Sequence, residues 1–373
     1  MSANSLLLQD NEYLQSFLNQ TNWEQRYYKT FFPLKFNPTL NYRTLIADKI
    51  APVAADVVAY NTAAPEKTRR VVDQITGDIP ASRVKRILDE VKLNEWNILR
   101  GQQNTPSSEI MDFIFEDPAF CFDAVESRRE WMCMQALSNF TLSLSTTTNE
   151  PGVITQTDID FQLPGARKRQ IVAATTVRAW SNDTIGNYKP ITDFEDVVQA
   201  AEDNGTSTPA WALMNTTSWR YFRKATEVLN FVLPNVQNKP VGVIPAAGMN
   251  LSGVNASLKE AGLPQIIIIN TRVTIENSVH DLTTTNPWAD NYVTFLPANP
   301  QVGNMLYGPL AVESFPAKQA TYASRDGITI SKFSIEDPIN EITVGLSNCF
   351  PQIPKISEIW RLNHESAGTD GVE

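Results

Sequence analysis

Two carboxylates in alternation, Asp158-Ile159-Asp160, are the best acidic candidates for chemistry in this chain. Residues i and i+2 of a strand point to one face, so the pair could share a divalent cation or divide acid and base duties. A solvated strand face gives the same pattern, and no further acidic motif converges on it. Only two histidines are present, His280 and His364. A metal site of several histidines is thereby excluded, and a Ser/His/Asp arrangement could rest only on His280, because His364 lies by a tail expected to fray. Cys133 would need a base beside it to act as a nucleophile; among Met132, Met134 and Leu137 it reads as core. Gly242, Gly248 and Gly253 are too widely spaced to cradle a phosphate in one turn, and neither a Walker pattern nor the dinucleotide fingerprint occurs. Glu336-Asp337-Pro338 reads as a turn. No catalytic residue, cofactor or metal ligand is expected.

The elements that would position these groups are dominated by one stretch, Asp117 to Leu163. Asp117-Pro118 is a helix-start signal, an oxygen acceptor followed by a proline tolerated in the first turn. No glycine or further proline intervenes up to Leu144, so one helix of about seven turns is expected. Val125, Met132 and Ala136 recur at helical spacing, as do Cys133, Leu137, Phe140 and Leu144. Glu126, Arg129, Glu130, Asn139 and Ser143 fall between those rows and are expected to face outward. Ser145 to Gly152 breaks the helix, and Val153 to Leu163 resumes as extended chain. A helix this long exceeds the usual three or four turns and must be buried along most of its length.

With 373 residues, 42% of them hydrophobic, the chain can bury a sizeable core in two or three packing units. A net charge of -10 and a pI near 4.9 argue against tight binding to exposed nucleic acid and favour solubility. Cys121, Cys133 and Cys349 show no metal-type spacing; an odd count without a signal peptide fits a reducing cytoplasm. The densest apolar run, Ile266 to Ile269, is far short of a membrane span. A soluble intracellular product is expected.

Asp10 to about Tyr28 suggests an amphipathic helix with Tyr13, Phe17 and Leu18 on one side, followed by Trp23, Tyr27, Tyr28, Phe31 and Phe32. It either covers a core edge or reaches a neighbouring subunit. Ala64 to Arg100 carries eight basic residues against six acidic ones. Its apolar stretches Val71-Val72 and Val84 to Leu88 suggest a hairpin around Gly77-Asp78-Ile79-Pro80 that cannot support a core of its own. Because folding it back would bury little apolar area, it is expected to dock on another subunit. From about 190 to 310 strands and helices alternate, as in an α/β unit: a helix to Asn204 capped by Thr192 or Asp193, a strand Ala210 to Met214, a helix capped at Thr216–Thr217, and a strand Val241 to Ile244. Glu341 to Leu346 alternates strictly, as a half-buried strand should.

The order of these parts resembles the lambda-type head protein (capsid protein E) family of tailed phages. Met134-Gln135-Ala136-Leu137-Ser138 after Glu130 is similar to the family's spine helix, and Val153 to Leu163 to the strand leaving it. Trp219-Arg220-Tyr221-Phe222-Arg223 resembles the axial-domain helix, although the usual Asp-Pro before it is missing. Phe295-Leu296-Pro297, Gly303 to Val312 and Asp337-Pro338 resemble the later strands. The resemblance implies an α+β Hong Kong 97-like capsid fold. Its parts would be an N-terminal arm with lead-in strands (1–54), an extended loop (55–100), a peripheral domain with the spine helix (101–190), an α/β axial domain (191–310) and a closing β part (311–373). It implies a structural major capsid protein, not an enzyme, assembling with itself into hexamers and pentamers of an icosahedral or prolate head around double-stranded DNA. Portal, scaffold and decoration proteins are the further partners implied, with packaged DNA held by weak non-specific contact and no membrane. The setting is the virion, assembled in the host cytoplasm. Candidate interface residues are Arg69, Arg70, Arg83, Lys85, Arg86, Trp23 and Tyr27. The alternatives are an encapsulin-like nanocompartment shell and a metal-dependent cytoplasmic enzyme using Asp158 and Asp160.

Overall fold

A computed structural model describes residues 11–47, 55–56, 72–101, 107–144, 157–172, 178–181, 188–232, 250–276, 282–318 and 320–368. The chain forms two compact units, each gathered from separated stretches. Unit 1 takes Met1–Arg43, Thr76–Cys133 and Gly303–Gln352; unit 2 takes Thr44–Ile75, Met134–Val302 and Ile353–Glu373.

Unit 1 is organised by the strand Ile339–Gln352, expected from its alternation but buried on both faces, with Glu341, Ile342 and Thr343 enclosed in succession, and not half-buried. It lies between Asn304–Gly308 and Ile328–Glu336, with Leu34–Phe36 and Thr321–Arg325 at the ends of the strand order. Ala81–Leu88 also pairs with it, antiparallel, placing Val84 opposite Gly345 and Arg86 opposite Thr343. This corrects the expected hairpin. Val72–Asp78 pairs instead with Asn41–Ala47, so the two stretches around Gly77–Pro80 part company and each joins a different sheet. Ala81–Leu88 had a ready partner in a long central strand, and joining it buries Leu88 and half-buries Val84. The helix Ser107–Ser138 crosses this sheet so closely that a Cβ on Gly345 would lie 2.8 Å from the Cys121 carbonyl oxygen. Cys121, Phe122 and Val125 pack there with Ala323, Ile328 and Ile330.

That helix begins about three turns before Pro118, not at it. A proline inside a helix leaves the carbonyl four residues back without its N–H partner. For Pro118 this is Ile114, and its oxygen accepts a hydrogen bond from Lys332 Nζ at 3.3 Å. The same ammonium lies 3.4 Å from Glu341 Oε1, with both side chains fully buried. Burial lowers the Lys332 pKa and Glu341 pulls it back up. A buried ion pair thus fills the gap the proline makes.

At its other end the helix stops at Ser138, and Phe140 takes a left-handed φ of 58°. Thr141–Leu144 is then a strand paired antiparallel with Thr157–Asp160. The expected helix ran on to Leu144 because Phe140 and Leu144, four apart, satisfy both the helical and the strand period. Leu142, buried between exposed Thr141 and Ser143, shows that period two won.

Unit 2 holds the α/β alternation expected for 190–310. Its sheet runs Lys168–Val172, Trp360–Gly368, Tyr292–Leu296, Trp211–Asn215, Gln265–Ile269. Pro190–Asp203, Thr216–Phe222 and Leu251–Glu260 pack beside it through Phe194, Phe222, Val254 and Leu258 around Phe295. The helix caps differ in detail from the sequence reading. Asn215 Oδ1, not Thr216 or Thr217, accepts from the Ser218 N–H at 2.8 Å. The first turn of Pro190–Asp203 is capped from another helix, by Glu227 on the N–H groups of Ile191 and Thr192. The expected strand Val241 to Ile244 lies outside the described residues.

Candidate functional site

Asp158 and Asp160 share one exposed strand face, as their spacing requires, but each is engaged locally. Asp158 Oδ1 accepts from Ser143 Oγ on the paired strand at 2.5 Å, and Asp160 Oδ1 accepts from the Gln162 N–H at 2.8 Å. Among the described residues no group of three or more His, Cys, Asp and Glu side chains could hold a metal ion.

His280 falls outside the described residues, and it is His364 that enters a serine/histidine/carboxylate chain. His364 is buried in the strand Trp360–Gly368, not frayed. Its Nε2 lies 2.8 Å from Ser218 Oγ and its Nδ1 2.9 Å from Glu365 Oε1. This is the connectivity of a nucleophile relay, but the surroundings give it another role. Ser218 is fully buried and its hydroxyl donates to the Asp290 carbonyl oxygen at 2.9 Å, with His364 Nε2 3.1 Å from the same oxygen. Trp180 stacks on the imidazole at a centroid distance of 4.6 Å. Burial would raise the Glu365 pKa; hydrogen bonds from His364 and Ser181 override it and hold the carboxyl below its ordinary value. The group ties the last strand to the start of the helix Thr216–Phe222. The signal for it was the alternation Trp360, Leu362, His364, which continues a strand into what was read as a tail.

In unit 1 the helix presents a charged cluster where none was expected inside. Glu126, Arg129 and Glu130 are buried, Arg129 and Glu130 fully so. Spaced i, i+3 and i+4, they share one face, and a helix packed nearly all round leaves that face no water. Glu126 accepts from the Tyr28 hydroxyl at 2.9 Å and pairs with Lys29 at 2.9 Å and Arg129 at 3.1 Å. Glu130 accepts from the Tyr28 backbone N–H at 2.8 Å. Arg129 donates onward to the carbonyls of Asp326 and Gly327 and to Ser347 Oγ, at 2.9, 3.1 and 2.8 Å. Asp326 and Gly327 both have positive φ, 55° and 71°, the two-residue hairpin turn that Asp-Gly favours. The cluster fastens the N-terminal stretch, the helix, a hairpin turn and the central strand at one point.

The candidate interface residues divide. Arg83 and Lys85 are exposed and alternate with inward-facing Val84. Arg86, on the inward row, lies 3.1 Å from both Glu116 and Asp117 and 4.1 Å above the Phe120 ring. Trp23 packs on Phe122 at 4.3 Å and donates to the Leu18 carbonyl oxygen; Tyr27 is 37% exposed. Arg69 and Arg70 lie outside the described residues.

A family model described as phage major capsid protein E matches residues 44–328, well over half of the chain. Among solved structures, one similar chain is assigned as the capsid protein of an E. coli CFT073 prophage, with 13% identity, coverage of 95% of this chain and 98% of that one, and a TM-score of 0.57. A phage-related protein from Bordetella bronchiseptica RB50 is 10% identical over 95% and 97% of the two chains, at a TM-score of 0.51. A chain of the cyanophage A-1(L) capsid is 10% identical over 92% and 94%, also at 0.51. No curated protein matches significantly. These likenesses establish the Hong Kong 97-like capsid fold. With the family match, the likeness read from the spine helix and later strands is confirmed: the chain belongs to the phage major capsid protein E family.

Proposed function

We propose that this shell protein builds an icosahedral or prolate phage head from hexamers and pentamers around double-stranded DNA. Portal, scaffold and decoration proteins are its further partners, and assembly takes place in the host cytoplasm. Its duty is structural, without a catalytic step. The family match over residues 44–328 is the observation that carries this reading. The charge of -10 suits it, because a container whose lining repels phosphates does not trap its cargo. Neither a nanocompartment nor an enzyme is favoured. Within the subunit we assign the peripheral part to unit 1, with Ala81–Leu88 in its sheet and not in the extended loop expected at 55–100. We assign the axial part to unit 2, which reaches beyond the expected 191–310 to take Lys168–Val172 and Trp360–Gly368 into its sheet.

We assign the subunit contact to the exposed cations Arg83 and Lys85, with Arg69 and Arg70, meeting acidic groups of a neighbour. Exposed ion pairs contribute only about 0–1 kcal/mol each, but every subunit makes many contacts at once. The double reversal Arg83→Glu/Lys85→Glu is expected to stay folded, with stability within about 0.5 kcal/mol of the parent, and to form no particles in negative-stain microscopy. Arg86→Glu, which breaks contacts inside the subunit, is expected to lower the melting temperature instead. Normal particles from the double reversal would remove these cations from the contact. A parent protein that forms no particles tens of nanometres across under any assembly condition would overturn the shell reading itself.

A further inference from the structure

The N-terminal helix Asn11–Gln20 lies against the edge strand Thr321–Arg325 in an uncommon way. In the antiparallel pairing of that strand with Ile328–Glu336, alternate residues turn their backbone groups away from the partner. The outward ones are Tyr322 and Ser324, and amide side chains of the helix take them. Asn11 Oδ1 accepts from the Tyr322 N–H at 2.8 Å, and Gln15 Oε1 accepts from the Ser324 N–H at 2.9 Å. Gln15 Nε2 donates back to the Ser324 carbonyl oxygen at 2.9 Å. The match is geometric: four residues of helix rise about 6 Å, and two residues of strand about 6.8 Å. Leu14 and Leu18, fully buried against Ala323, Ile328 and Ile330, hold the helix in place. Arg325 fixes its far end by donating to the carbonyl oxygens of Leu18 and Asn19.

An edge strand with bare N–H and C=O groups is a template for another strand, and folds guard against this by several means. In this sheet Leu34–Phe36 is only three residues long, and Ala81–Leu88 carries Arg83 and Lys85. Thr321–Arg325 is longer than the first and bears a single charge, at its end. We propose that Asn11 and Gln15 stand in for a further strand, and that they keep Thr321–Arg325 from pairing with the same strand of a second copy. The occupant follows from the strand's own register: two antiparallel copies centred on Ala323 place each Thr321 opposite an Arg325 and offer the bonds the amides now make. The need for such a guard rests on the shell reading, which crowds many copies together; the hydrogen bonds do not.

The test uses the full chain with Asn11→Ala/Gln15→Met, which keeps helix formers at both positions and the length of residue 15. With their hydrogen bonds lost, the Tyr322 and Ser324 amides are expected to exchange with solvent roughly fivefold faster, while the Ala323 amide, paired inside the sheet, is unchanged. In sedimentation velocity the variant is expected to form larger species than the parent run at the same concentrations, and adding Ser324→Pro, which removes an outward N–H, is expected to abolish that excess. Unchanged exchange at Tyr322 and Ser324 would overturn the cap. A variant that sediments as the parent does, or that forms the larger species even with Ser324→Pro, would overturn the pairing. Either result leaves particle formation by the parent, scored by microscopy, as a separate question.

Discussion

Replacing Lys332 with methionine removes two bonds from one buried point. Glu341 loses a cation 3.4 Å away, and the Ile114 carbonyl loses the donor that replaces the N–H missing at Pro118. Breaking a buried pair from one side costs about 3–5 kcal/mol, because a charge is left uncompensated. Lys332→Met is expected to fall in that range, measured by urea unfolding followed through tryptophan fluorescence. Proline 118 lets the two effects be separated. In Pro118→Ala the restored N–H competes with Lys332 for a carbonyl already served. In the double variant the same N–H finds that carbonyl orphaned, and an orphaned buried acceptor costs about 1–3 kcal/mol. The Pro118→Ala change is therefore expected to be more favourable by about 1–3 kcal/mol in the Lys332→Met background than alone. Additivity within about 0.5 kcal/mol would refute the coupling. A Lys332→Met protein as stable as the parent would refute the ion pair's role as well.

Asp193 is fully enclosed beside Trp180 and Arg178; burial pushes its pKa up to about 7, although Trp180 and Arg178 pull it down. The folded state then holds a proton that the unfolded chain, with a carboxylate near 3.9, gives up earlier, so stability falls as pH rises from about 4 to about 7, by at most roughly 4 kcal/mol. Urea midpoints at pH 5, 6, 7 and 8 are expected to show this fall in the parent and a flatter profile in Asp193→Asn; equal slopes would contradict it. Asp158→Asn/Asp160→Asn is expected to leave particle formation intact, since both side chains are exposed and bonded locally. Loss of particles that a divalent cation restores only in the parent would return them to the list of metal ligands.

Much of the fold was legible where one period dominated. The alternation from Glu341 to Leu346 marked the central strand, and strands alternating with helices marked unit 2. Errors came where two readings fit the same residues. Phe140 and Leu144 satisfied both periods, and Pro118 is a start signal unless a distant lysine serves the carbonyl it strands. Glu126, Arg129 and Glu130 look like a solvated face until Tyr28, Asp326, Gly327 and Ser347 are brought to them, and no local pattern announces that meeting. Arg83, Lys85 and Arg86 looked alike as charges; only the pairing of Ala81–Leu88 with the central strand separates outward Arg83 and Lys85 from inward Arg86.

Unit 1 is drawn from residues 1–43, 76–133 and 303–352, and this has a consequence in time. A ribosome delivers the chain in order, so Arg129 emerges well before Asp326, Gly327 and Ser347, the groups it binds. Asp326 follows it by 326 minus 129, or 197 positions, which at about 5–20 residues per second is a wait of roughly 10–40 s. The helix face bearing Glu126, Arg129 and Glu130 can pass that wait in water, because it is charged and not greasy. The strand that completes the sheet arrives among the last fifth of the chain. A nascent or truncated copy therefore leaves Ala81–Leu88 without the strand it pairs with until its own synthesis is nearly done.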